Sequence, residues 1–191
     1  MPEPLIRRNQ TQTSLEELER GWPQLHAQVR EALAPSSKSA LASSAKWIPL
    51  SVDLDLHKCV LEGSDAGVVE EWVYQSFMAD MERSLLKPLL EGTRKLLGLN
   101  PQHLFAISTR VWDTIYQHCG QARVLERTSS KVVVEHRGLP PDMCAEKYAY
   151  VEAFVGTYRA VIDICKMRGD VEITDYDRKE GRAVFDARWA K

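Results

Sequence analysis

Residues 146–189, EKYAYVEAFVGTYRAVIDICKMRGDVEITDYDRKEGRAVFDARW, decide the fold. Tyr150, Val151, Phe154, Tyr158, Val161, Ile162 and Cys165 recur every three or four positions, which is the apolar stripe of one long helix. Glu152, Arg159, Asp163 and Lys166 line its opposite face, and Gly169 stops it. Val171 and Ile173 then alternate with Glu172 and Thr174. Phe185, Ala187 and Trp189 alternate with Asp186 and Arg188. Period two on both sides of an Asp-rich turn closed by Gly181 predicts a β-hairpin.

Upstream, Asn100-Pro101 is a helix cap followed by a first-turn proline, with Gly120 as the matching stop. Leu104, Ile107, Val111 and Ile115 form one stripe, and Phe105, Trp112, Tyr116 and Cys119 form a second beside it. So wide an apolar arc places a helix over 101–119 in the middle of the core. Strands follow at 122–126 and 131–136, the second carrying the β-branched run Val132-Val133-Val134. Gly138-Leu-Pro-Pro141 crosses over to the long helix. Helices followed by ββαββ predict an α+β fold, with helices on one face of a four-stranded antiparallel sheet.

The first thirteen residues are polar and read as mobile. Ser14 and Glu17 have capping-box spacing and open a helix, which Gly21-Trp22-Pro23 interrupts and Pro23 restarts toward Ala34. Pro35 to Lys46 is rich in Ser and Ala and reads as a linker. The expected organisation is therefore an N-terminal helix and linker over 1–46 and an α+β domain over 47–191. Residues 50–61 fit a strand or a helix equally. Asp65 caps a helix through Met81, and a further helix restarts at Ser84 and ends at Gly98.

Composition excludes several classes. Of 191 residues, 44% are hydrophobic and 27% charged, as in ordinary globular proteins. The formal charge of −2 gives no pull toward nucleic acid or anionic lipid. No apolar run approaches the ~18 residues that cross a bilayer, and the N-terminus lacks a signal-peptide core, so a cytoplasmic location is expected. Cys59, Cys119, Cys144 and Cys165 are scattered and read as reduced thiols, with Cys144 the one expected to be exposed.

No constellation announces a reaction. Asp53, Asp55 and His57 share a face if their segment is a strand, and could then hold a divalent metal or simply be wetted; a helix splays them. His57 with Cys59 and His118 with Cys119 lack zinc spacing. A nucleophile elbow, a Walker loop and a GxGxxG are all missing. The reading is no catalytic residue, no metal and no cofactor. Gly156, in the middle of the long helix, reads as drift on an exposed face or as a place where something approaches the backbone.

Several of these residues carry a resemblance. Leu99-Asn-Pro-Gln-His-Leu, Val111-Trp-Asp-Thr-Ile-Tyr, Phe154-Val-Gly-Thr-Tyr and Val184-Phe-Asp-Ala-Arg-Trp189, with hairpins between, resemble a paralogous family of about this length, large in myxobacteria and of unknown function. The match spans about 47–189. The helix–ββαββ order is also similar to that of haem-nitric-oxide-binding domains and 4-vinyl-reductase-like domains. That resemblance implies a small ligand between helices and sheet. In the haem domains a histidine on the helix before the first strand holds iron, with a Y-x-S-x-R motif further on. His103 stands on the corresponding helix, but only Ser129-Ser130-Lys131 is near the motif position.

The functional expectation is a non-enzymatic regulatory or small-ligand-sensing module. Trp112, Tyr116, Tyr158 and Trp189 come from three neighbouring elements and could line a pocket for an apolar ligand, with Arg159 at its rim for an anionic group. The alternative is a protein-interaction adaptor or homodimer that uses the Leu15, Leu18, Trp22, Leu25, Val29 stripe. An enzyme and a haem sensor rank below both.

Overall fold

The computed structural model describes residues 2–82, 87–88, 91–92, 95 and 99–190. The expected helix limits at Ser84 and Gly98 lie outside the described residues.

The chain begins with a strand, where the sequence suggested a mobile tail. Strand β1 (Leu5–Arg7) is antiparallel to β2 (Trp47–Pro49) on one side and to β3 (Tyr116–Gln117) on the other. Ile6 is fully buried between them, opposite the buried Ile48 of β2, and this apolar pair favours the pairing. Helix α1 (Arg8–Gly21) follows directly, so Ser14 and Glu17 are buried interior residues rather than a cap. The Ser14 carbonyl accepts the indole N–H of Trp72 at 2.7 Å, a tertiary bond that the local spacing could not announce. Helix α2 (Pro23–Ala32) starts at its proline as expected. The Ser-rich segment is helical over Pro35–Ala42 (α3), because its proline starts a helix as readily as it ends one.

Helix α4 (Leu50–Glu62) settles the ambiguous segment: β2 ends at Pro49, whose fixed φ of −53° leads into the helix. Helix α5 (Ala66–Glu82) is capped by Asp65, whose Oδ1 accepts the Val68 N–H at 3.0 Å. Leu18, Leu25 and Val29 of α1 and α2 pack with Leu56, Val60, Val69 and Trp72 in a core of their own, with Leu15 and Trp22 partly buried against it.

The helix expected over 101–119 divides into α6 (Pro101–Ala106) and α7 (Ser108–Ile115). It ends four residues early because Tyr116 and Gln117 pair with β1, a tertiary bond outweighing local propensity. Strands β4 (Gln121–Arg127), β5 (Lys131–Arg137), β6 (Gly169–Asp177) and β7 (Arg182–Trp189) form one antiparallel sheet in the order β4-β5-β7-β6. The fold is α+β, with the helices covering one face of this sheet. Gly181, at φ +59°, closes the β6–β7 turn with its α-carbon so near the Leu139 backbone that a side chain would overlap it.

The long helix is also shorter than its periodicity suggested. A 3₁₀ turn at Glu146–Tyr148 and left-handed Ala149 (φ 47°) precede α8 (Phe154–Ile164). Gly156 is buried, not exposed. A Cβ there would overlap the Glu70 carbonyl oxygen and lie 3.1 Å from the Tyr74 nitrogen, so α5 crosses α8 backbone to backbone. Arg159 clamps the crossing through Glu70 at 2.8 Å and through Glu71. Gly156→Ala must push two backbones apart, and a loss of about 2–3 kcal/mol is expected from overpacking. Urea denaturation of the variant checks this, and an unchanged midpoint would refute the close crossing.

Candidate functional site

Between α1, α4, α5, α6, α7 and α8 and the inner face of the sheet lies a mostly apolar cavity of about 100 Å³. Its wall is aromatic and aliphatic, with Trp112, Phe154, Phe77, Leu104 and Val161 among the lining residues. Two polar clusters interrupt that wall.

The first cluster belongs to α4. Asp53 and His57 are four residues apart on a helix, so they share a face; both line the cavity. Asp55 points elsewhere and accepts the Ala34 N–H at 3.1 Å. The helix therefore separates only one of the three residues, where splaying of all three was expected. Asp53 Oδ2 accepts the Tyr150 hydroxyl at 2.7 Å, and the Tyr150 and Tyr116 hydroxyls lie 3.0 Å apart. The break at Ala149 is what brings Tyr150 onto Asp53. His57 is wedged between Trp72 and Tyr150, with ring centroids at 4.8 and 4.4 Å, and its Nδ1 is buried without a partner. Burial pushes the Asp53 carboxyl above its usual range, opposed by the Thr11 and Tyr150 hydroxyls. Burial also pushes His57 down to about 3, so its imidazole is neutral.

The second cluster is His136 with Tyr158. His136 occupies the inward position of β5 two residues beyond Val134, and its Nε2 bonds the Tyr158 hydroxyl. Its Nδ1 is buried with no partner, and burial lowers its pKa to about 3. Trp112 packs edge-on to this ring at 4.5 Å. A neutral imidazole with an open nitrogen can accept a hydrogen bond or ligate a metal.

Of the five residues singled out from sequence, Trp112, Tyr116 and Tyr158 come together on the cavity wall. Trp189 sits one ring behind: it stacks on Phe105, 6.1 Å away at 9°, and Phe105 in turn contacts Tyr158 at 5.5 Å. Arg159 faces the other way, onto Glu70, Glu71 and the Tyr74 ring. Tyr150 and His136 went unread as site residues, and Asp53 and His57 were weighed only as part of a metal site on a strand face. The i,i+4 spacing of Asp53 and His57 was the available signal for those two. A histidine in register with an apolar strand face was the signal for His136. Cys144, expected to be the exposed thiol, is buried, because the crossover that carries it packs beneath the sheet edge and its carbonyl accepts the Tyr176 hydroxyl at 3.3 Å.

The architecture is that of H-NOX proteins. The chain is similar to a variant of an Fe(II) unliganded H-NOX protein from K. algicida, with a TM-score of 0.70, 10% identity and 97% of each chain covered. It is similar to an oxygen-binding H-NOX domain related to soluble guanylate cyclases, solved as its oxygen complex, at 0.64 and 15% over 97% of this chain and 96% of that one. A T. Tengcongensis H-NOX variant matches at 0.63 and 13%, over 97% and 98%. No family model and no curated protein matches the chain. These neighbours overturn the low rank given to a haem sensor: the fold is one on which haem distortion and oxygen binding have been studied directly. Among the described residues no helix is long and apolar enough to cross a membrane.

Donors and room decide how a haem would be accepted here. The donors fit, since His57 and His136 present neutral, unpartnered nitrogens at the cavity. His103, on α6, also has a buried unpartnered Nδ1, but it is not part of the cavity wall, which α6 supplies through Leu104. The room does not fit a porphyrin with the aromatic wall packed as it is. About 100 Å³ is on the scale of the ~150 Å³ engineered cavities that take benzene or xenon.

Proposed function

We propose that this chain is a small-ligand-sensing module on the H-NOX architecture, with its ligand in the cavity between helices and sheet. One observation carries the proposal: a mostly apolar cavity interrupted by polar groups, among them two buried imidazoles with an open nitrogen. Buried polar atoms without partners cost stability, and a fold that keeps two of them beside one cavity is arranged to give them a partner. Trp112, Tyr116 and Tyr158 are its aromatic wall. Trp189 buttresses the wall, and Arg159 braces the helix that bears Tyr158.

Haem in the same place is a reading of equal rank, favoured by the H-NOX neighbours and by the open imidazoles. It requires the aromatic wall to part. Membership of the myxobacterial family, a bacterial cytoplasmic setting, and a protein partner or second copy that receives the signal belong to the same proposal.

Two titrations test it. Benzene should raise the melting temperature in a concentration-dependent way. Haemin titration tests the haem reading, through a Soret band that disappears in His57→Ala or His136→Ala. A melting temperature indifferent to benzene, together with a spectrum of free haemin, would end the sensing proposal.

A further inference from the structure

The Asp53 end of the cavity has a chemistry that an apolar ligand does not use. Asp53 is 4% exposed, and no lysine, arginine or histidine lies within ion-pair distance of it among the described residues. A buried carboxylate normally has a cation or neutralises itself. Beside the Tyr150 hydroxyl that already donates to Asp53, the wall offers open acceptors and ring faces. Gln10 presents a buried Oε1 without a partner, and His57 a buried Nδ1. Tyr150, Tyr116 and Trp112 present aromatic surface, with the Trp112 and Tyr116 rings 4.3 Å apart.

We infer that the cavity takes a small organic ammonium, its charged nitrogen on the Asp53 carboxylate and its carbon body against the aromatic wall. This rests on the small-ligand reading and adds the charge and class of the ligand. An ammonium brings N–H donors to open acceptors, a positive charge to an unpaired carboxylate, and a cation to aromatic faces, which attract it. A neutral alcohol of the same shape offers a single O–H donor, and brings neither the positive charge to the carboxylate nor the cation to the aromatic faces. The Tyr150 hydroxyl, donating to Oδ2 at 2.7 Å, holds the carboxylate in place.

The probes are propylamine and its neutral counterpart 1-propanol, titrated by NMR against the wild-type protein and Asp53→Asn. Propylamine should bind the wild type about ten-fold or more tightly than propanol, and lose about that factor in Asp53→Asn, while propanol stays within about three-fold. The wild-type comparison decides even if the variant does not fold. Propanol binding as well as propylamine, or Asp53→Asn binding propylamine unchanged, would overturn the inference and leave the small-ligand reading standing. Failure of both probes to bind the wild type would remove both.

Discussion

Acidification should unfold this protein steeply, starting just below pH 6.5. His57 and His136 are buried neutral, with their pKa values lowered from 6.5 to about 3 by loss of solvation. The unfolded chain therefore takes up two protons that the folded chain refuses. Stability is fully present above pH 6.5 and is lost as the pH falls toward 3. Each histidine contributes a slope of roughly 1.4 kcal/mol per pH unit, so the pair gives roughly 3 kcal/mol per unit. Set against a total of about 5–15 kcal/mol for a domain, that slope brings the unfolding midpoint within a few units of neutrality. Asp53 works in the opposite direction. Its folded pKa is raised, so its penalty is relieved on acidification, and Asp53→Asn should steepen the acid transition. Far-UV circular dichroism against pH, with calorimetry at several pH values, measures the slope. His136→Gln should halve it. Stability that stays flat from pH 7 to pH 5 would refute the buried neutral imidazoles.

Tyr158→Ala should cost about 3–5 kcal/mol, the range of a buried aromatic truncation. The ring contacts Phe185 at 5.1 Å and Phe105 at 5.5 Å, and is 5% exposed. Removing it also strips His136 Nε2 of its partner when Nδ1 already has none. Tyr158→Phe isolates that second effect and should cost about 1–3 kcal/mol, the penalty of one buried group left unpaired. Guanidinium denaturation of the two variants separates ring from hydroxyl. A loss below about 1 kcal/mol for Tyr158→Ala would mean that the ring faces open solvent rather than a cavity wall.

The sheet was legible because its signal is local. Val132-Val133-Val134 is a β-branched run and Phe185–Trp189 alternates in period two, and each strand appears within a residue or two of where the pattern put it. The two central helices were read too long for one reason. Their stripes continue through Tyr116 and Tyr150, but those residues are apolar because of what they meet in space: β1 for Tyr116 and Asp53 for Tyr150. Periodicity records burial and not backbone conformation, so it cannot tell a helix that continues from one that breaks into another buried segment. The site was half legible. Trp112, Tyr116 and Tyr158 stood out by bulk. Asp53, His57 and His136 did not, since a polar residue on an apolar face becomes conspicuous only once the face is known. Gly156 was visible as an oddity, and its meaning waited on the position of Glu70.

The strand that opens the chain has a consequence for how the protein is made. Leu5–Arg7 needs β2 and also Tyr116-Gln117, over a hundred residues downstream. On a ribosome adding about 5–20 residues per second, its apolar Leu5-Ile6 pair waits roughly 5–20 s for that second partner. Throughout the wait one of its two edges stays unpaired, open to any other nascent strand. Its closure is a long-range contact, of the kind that slows folding. A chaperone that shields the first ten residues until β3 has emerged would raise the yield of folded chain more than one acting on the hairpin β6–β7, whose strands leave the ribosome together.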